Sequence, residues 1–229
     1  MKTSPTRQPL ARLATILALL SSAVLWSGSA AAQNDLYYNR VRGLTDVPFP
    51  SFQGAECTTI KAPRALVWRV LVSPGPAGTW LLADLDNVVP RGARYKKGFV
   101  ASKDDVLTIT SEVLNGPRTT ELRVLATIPE RVLTLAVTKD DDVIAHDIAN
   151  LIYTFVLESN PDGSTDLYWA THYDPSSPFA AAFSGIGSKK SRLHSEKGLL
   201  VFKGLAEAAT LTKYPPLPDL PVESASSTR

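Results

Sequence analysis

The chain has one cysteine and one methionine in 229 residues. A lone cysteine permits no internal disulfide, so the fold has to be held by a buried core. Cys57 sits in Glu56-Cys57-Thr58-Thr59-Ile60, which reads as a strand, and this makes it a half-buried, inert thiol. The signatures of several enzyme classes are missing from the sequence as well. Serine, histidine and aspartate are all present, but no Gly-x-Ser-x-Gly elbow is formed. No glycine-rich phosphate loop precedes a helix. Hydrolase and nucleotide-binding readings lose their support. Asp140-Asp141-Asp142 with His146 and Asp147 offers metal-capable donors, but the spacing matches neither a helical pair nor a calcium loop. It reads as a solvated turn, and no metal or cofactor is expected.

Long apolar runs are also lacking. The longest, Ala14–Trp26, is interrupted by Thr15, Ser21 and Ser22 and falls short of the ~20 residues a membrane span needs. It follows Lys2, Arg7 and Arg12 and precedes the small residues Ser27–Ala32, where Ala30-Ala31-Ala32 fits a cleavage site before Gln33. Residues 1–32 therefore read as a signal peptide, and no cysteine follows to suggest a lipid-modified site. The segment carries three of the 24 Lys and Arg residues and none of the 22 Asp and Glu. Without it the balance is 21 against 22, so no basic surface remains to bind nucleic acid. The expected mature protein is exported, periplasmic or secreted from a bacterium, and not stably inserted in a membrane. Its 197 residues suffice for one domain with a sizeable core.

What the sequence does contain is a change of period along its length. Residues 33–53 form an irregular extension whose Leu36, Tyr37, Tyr38, Phe49 and Phe52 are too apolar for a free tail, and they are expected to lie against the domain. Gly54–Lys61 reads as a strand. Pro63 suits a first helical position, and Arg64–Val72 follows as a helix with Leu66, Val67, Val70 and Leu71 on its apolar side. A second short helix around 77–84 carries Trp80. From Asp86 to Asp174 the period is two. Strands are expected at 106–114, 119–128, 131–138, 151–158 and 166–173, with one or two weaker ones in 88–97. Short joins such as Pro129-Glu130 imply antiparallel neighbours. The tail, 214–229, begins Tyr-Pro-Pro-Leu-Pro and is expected to be extended and then disordered.

One long helix, about Gly185–Lys213, closes the domain. At about 100° per residue, Lys189, Arg192, Glu196, Lys203 and Glu207 form a solvated stripe. The opposite sector holds Gly187, Ser191, His194, Gly198, Val201, Phe202, Leu205 and Ala209. Glycine inside a helix costs roughly 1 kcal/mol relative to alanine. The glycines here imply either close approach of another backbone or a space left open beneath the helix. A strand, two short helices, an antiparallel meander and a long helix make an α+β helix-grip fold, a curved antiparallel sheet wrapped around a long C-terminal helix.

Local sequence agrees. Ile60-Lys61-Ala62-Pro63-Arg64-Ala65-Leu66-Val67-Trp68, Trp80, Pro129-Glu130-Arg131-Val132-Leu133, and Phe155-Val156-Leu157-Glu158 followed by Asp162-Gly163-Ser164-Thr165-Asp166-Leu167-Tyr168-Trp169 resemble the START-like or SRPBCC superfamily. The likeness is to its polyketide cyclase/dehydrase and lipid-transport branch and covers about Ala55–Thr212. The long acidic loop 139–150 and the N-terminal extension depart from the pattern. The resemblance implies an apolar cavity between sheet and helix for lipids, polyketides or other apolar molecules. The matched motifs build the fold and carry over no catalytic residue.

Cavity candidates follow from the registers. His194, Ser191 and Gly198 lie on the inner face of the long helix, and Tyr153, Phe155, Trp169 and Tyr173 point toward it from the last two strands. Aromatics with polar tips suit an amphipathic ligand; Phe155 and Trp169 read equally as plain core. Trp80 joins the candidates, and His172 faces outward with Tyr168. Three functions remain open: an exported carrier for an apolar or amphipathic small molecule, a cyclase or dehydratase using His194 as acid or base, or an envelope interaction protein with a filled core.

Overall fold

The structure is a computed structural model that describes residues 43–73, 80–81, 89–95, 102–113, 116–140, 148–178, 181 and 184–209. The remarks below concern these residues. The acidic loop 141–147, the proline-rich tail and the expected signal segment lie outside them.

Strand β1 (Phe52–Ile60) leads through Pro63, whose extended backbone (φ −67°, ψ 145°) caps the start, into helix α1 (Arg64–Leu71). Pro63 is thus the N-cap and not the first helical residue. Val67, Trp68, Val70 and Leu71 are buried, so Trp68 takes the place expected for Leu66, which is only partly buried. Strands β2 (Val89–Tyr95), β3 (Val106–Val113), β4 (Gly116–Ile128), β5 (Val132–Asp140), β6 (Ile148–Ser159) and β7 (Thr165–Pro175) follow, and helix α2 (Ser184–Glu207) ends the ordered order of elements. Of the one or two weaker strands expected in 88–97 there is one, β2, with its register broken between Pro90 and Ala93. Of the second short helix only Trp80 and Leu81 are described, and both are buried.

All seven strands form one antiparallel sheet in the order β1-β7-β6-β5-β4-β3-β2. The β3–β4, β4–β5 and β6–β7 joins are short and make antiparallel neighbours. At Pro129-Glu130 the Arg131 N–H donates to the Ile128 carbonyl at 2.9 Å, and Glu130 takes φ 60°. This is the geometry of a type II turn with proline at its second position. The first strand then closes on the last: Thr59 Oγ1 donates to Asp166 at 2.6 Å, and the buried Thr165 hydroxyl donates to the Ala62 carbonyl at 2.8 Å. The core between sheet and helices contains Ile60, Val67, Leu107, Leu122, Leu133, Leu167 and Phe202, all at most 1% exposed.

Helix α2 ends at Glu207, short of Lys213, with its last turn closing through the Ala209 N–H to the Ala206 carbonyl at 3.2 Å. Its buried stripe is Ser195, Gly198, Leu199, Phe202 and Ala206. This stripe is turned partway from the sector read in the sequence, and Ser191, His194, Val201 and Leu205 are left half-buried at its side. The charged stripe is likewise not simply solvated. Arg192 pairs with Glu56 at 2.6 Å. Lys203 Nζ donates to the Thr59 carbonyl, and Glu207 accepts from the Lys61 N–H at 2.8 Å and pairs with Lys203 at 2.6 Å. Helix and sheet are thereby fastened along the outer edge of β1.

Residues 44–53 lie against the domain as expected of that part of the extension. Ser51 donates from its N–H (3.0 Å) and its hydroxyl (2.8 Å) to Asp174, and its carbonyl accepts from the Tyr173 N–H at 3.0 Å. Gln53 Nε2 donates to the Tyr173 carbonyl at 2.9 Å. His172 does point away from α2, opposite Ile152 and Phe52. It is nevertheless fully buried, with Phe49 and Phe52 at centroid distances of 4.6 and 5.4 Å.

Candidate functional site

The centre of the inner face is an aromatic plug. Trp80 meets Phe155, Trp169 and Phe202 edge to face, with centroids 5.2, 5.4 and 5.2 Å apart. T-shaped contacts of this kind place the positive ring edge on the negative ring face. All four rings are at most 1% exposed. Gly198 belongs to this plug. A Cβ there would stand 2.4 Å from Trp169 Cζ3 and 2.8 Å from the Trp80 carbonyl oxygen. Of the two explanations for glycine on this face, close approach therefore applies at Gly198. Gly198 and Trp80 form a sealed floor, not an open wall.

Toward the N-terminal half of α2 the packing loosens. His194 and Tyr153 are half-buried, and each lies against the Trp169 ring and near the other. His194 is 5.1 Å from Trp169 at 79° and 6.1 Å from Tyr153 at 30°, while Tyr153 meets Trp169 at 5.4 Å and 86°. Three rings thus make a cradle with the imidazole on the helix and the phenol on β6. Ser191, one turn before His194, is half-buried beside it, and its carbonyl accepts from the buried Ser195 hydroxyl at 3.0 Å. Tyr173 is buried further along β7, where its backbone is tied to residues 51 and 53. The structure therefore brings His194, Ser191, Tyr153 and Trp169 together over a floor of Trp80 and Gly198, with Tyr173 farther along the same face of the sheet.

Two donors at this floor attract notice. Trp80 Nε1 and Trp169 Nε1 are buried and, among the described residues, have no hydrogen-bond partner. Most buried polar groups are paired, so an orphaned donor asks for an explanation. Sequence reading missed Ser195, since it is one step off the expected stripe.

Cys57 plays no part here. It stands exposed on β1 opposite Tyr168, on the outer side of the sheet, and is not half-buried. Local crowding of its sulfur, followed by the carboxylates of Asp166, Glu158 and Glu56, pushes the thiol up to about 12 against a helping hydrogen bond from Tyr168. Desolvation of the sulfur first, and the neighbouring carboxylates second, disfavour the thiolate. Asp140, the described member of the acidic cluster, ends β5 with the Thr120 hydroxyl 3.4 Å away.

No protein-family model and no curated protein matches the chain. Solved structures do. A protein of Rhodobacter sphaeroides superposes with a TM-score of 0.51 at 16% identity, over 70% of this chain and 97% of its own. One from Chromobacterium violaceum gives 0.50 at 16%, over 68% and 96%. A START superfamily protein from Mycobacterium smegmatis gives 0.47 at 13%, over 68% and 97%. At these identities the likeness is one of fold. The fold, an antiparallel sheet closed by a long C-terminal helix, is the helix-grip arrangement.

Proposed function

We propose that this protein is an exported binding or carrier protein for an apolar or amphipathic small molecule. The ligand is held between the sheet and α2, in the cradle of His194, Ser191, Tyr153 and Trp169. One observation carries the reading: the inner face passes from a sealed aromatic floor to half-open rings with polar tips, Tyr153 and His194, 6.1 Å apart. Ligand sites commonly combine apolar and aromatic lining with a few polar groups that fix orientation. The unpartnered indole donors at the floor favour a ligand with an oxygen acceptor, such as a carbonyl. Support for export comes from the signal-like start of the sequence, and among the described residues no helix is long and apolar enough to cross a membrane.

A second reading has one observation in its favour. An imidazole and a phenol side by side are a usable acid and base pair, so a cyclase or dehydratase reaction at His194 fits the same cradle. The two readings part on a single variant. In a carrier, His194→Ala weakens uptake and nothing bound is converted with or without it; in an enzyme it leaves uptake but abolishes conversion of the bound molecule.

The deciding experiment is native mass spectrometry of the protein purified from its own envelope and again after denaturing extraction. The expected result is a bound mass that extraction removes, that an envelope lipid extract restores, and that Ser191→Trp, which fills the cradle, prevents. A clean unliganded mass with no uptake from the extract would overturn the proposal in favour of an interaction protein with a filled core.

A further inference from the structure

An antiparallel sheet with helices on one face usually turns polar residues to the other. Here the outward positions of β4 to β7 carry Ala126, Ile128, Val132, Ala136, Ile152, Val156 and Ala170, interspersed with Thr134, Thr154, Tyr168 and His172. Val132, Ile152, Val156 and Ala170 are buried. The sheet thus has a second apolar face, and residues 44–50 form a strap along part of it. Between strap and sheet lies a groove of about 1440 Å³. Its floor includes Ala126, Ile128, Ala136 and Ile152, and its wall is Leu44, Val47 and Pro48.

We propose that this groove binds a neutral amphiphile with one long alkyl or acyl chain, at a site separate from the His194 cradle and on the opposite face of the sheet. The volume exceeds the ~300–1,000 Å³ of ordinary small-molecule sites, which suits an extended chain. Apolar side chains make up much of the floor and wall, with Ser102, Thr127 and Asn150 among the polar ones. The lining carries one ammonium, Lys103, against two carboxylates, Asp46 and Asp174, and Asp174 is already engaged by both donors of Ser51. An anionic head group would therefore lose its hydration beside more negative than positive charge. The head group instead has a polar neighbour in Thr45, whose hydroxyl is buried on the strap with no partner among the described residues. Reaching it requires the strap to ease away from the sheet, and the strap is fastened at its far end, at Ser51 and beside His172.

The test is photolabelling of the purified protein with a long-chain alcohol carrying a mid-chain diazirine, with adducts mapped by peptide mass spectrometry. The expected adducts fall on residues 44–50 and on the outward positions of β4 to β6, and unlabelled monoacylglycerol competes for them. Val47→Asp lowers them at least tenfold and leaves labelling near His194 unchanged. Ala136→Trp, which fills the floor, does the same, and near-UV circular dichroism reports whether each variant is folded. The proposal is overturned by adducts confined to the Tyr153–His194 side, by an absence of saturable labelling, by groove adducts indifferent to both folded variants, or by a fatty-acid anion that competes better than the neutral lipid.

Discussion

Two glycines on α2 look alike in the sequence and differ in what surrounds them. At Gly198 a methyl group would meet Trp169 and the Trp80 carbonyl below contact distance, whereas at Gly204 nothing lies within 4 Å of a Cβ. Overpacking of a tight core costs typically 1–3 kcal/mol, and alanine is the better helix former by up to about 1 kcal/mol. Gly198→Ala should therefore destabilise by about 2 kcal/mol and Gly204→Ala should stabilise by about 0.5 kcal/mol. Denaturant unfolding measures both, and equal effects would refute the packing described. Cys57 gives a second prediction at this scale. A thiol at about 12 against an ordinary 9.0 has about 10³ fewer thiolates at pH 8. Ellman's reagent should react with native protein far more slowly than with the urea-unfolded chain, although the residue is exposed. Comparable rates would show that desolvation and the neighbouring carboxylates do not govern the thiol.

The strap and its anchor set the behaviour of an element. His172 is buried against Phe49 and Phe52, and desolvation lowers its pKa from 6.5 to about 4 while the Pro50 backbone pulls weakly the other way. Its folded pKa lies below the unfolded one, so the neutral ring stabilises the fold fully above about pH 6.5 and progressively less as pH falls toward 4. The shift corresponds to a loss on the order of 3 kcal/mol. Asp174 is the nearby acid, and its bonds from Ser51 hold its pKa below the ordinary carboxylate range, so its tie survives to lower pH. Unfolding free energies measured from pH 7 to 4 should fall less steeply for His172→Gln than for the wild type, and parallel slopes would remove His172 as the cause. This anchor was only half legible in the sequence. Period-2 alternation put His172 on the outer face correctly, but alternation alone does not say what covers that face. A signal of that cover was present in Leu151-Ile152-Tyr153-Thr154-Phe155-Val156-Leu157, a run apolar at every position except Thr154, as strands covered on both sides are. Strands, turns and the long helix were legible because alternation and turn residues are local. The rotation of the buried stripe of α2 was not, because it depends on where Trp169 stands, and Trp169 comes from a strand. The cradle of His194, Ser191 and Tyr153 was legible as a set of facing residues. Its floor was not, since nothing local says that Gly198 admits a tryptophan.

For the whole molecule, the connection between first and last strands governs how the fold is reached. Thr59 and Asp166, bonded to each other, are 107 residues apart. β1 cannot be placed until β7 exists, and α2 then fastens to β1. Folds dominated by such distant pairings refold in milliseconds to seconds. The tryptophans at the plug should report this directly: fluorescence changes from Trp80 and Trp169 should coincide with the slow global phase of stopped-flow refolding and not precede it. An early, complete burial signal would mean that the plug assembles without the β1–β7 pairing.

The fastening of α2 to β1 also bears on what the molecule does among copies of itself. Among the described residues β1 pairs on one side only, so the N–H and carbonyl groups of its other side are an invitation to a foreign strand. Lys203 takes up the Thr59 carbonyl and Glu207 the Lys61 N–H, two residues apart on that free side. Two side chains one helical turn apart thus occupy the positions a neighbouring protein would use to add its own strand. The long helix that roofs the interior is in the same stroke a guard against polymerisation.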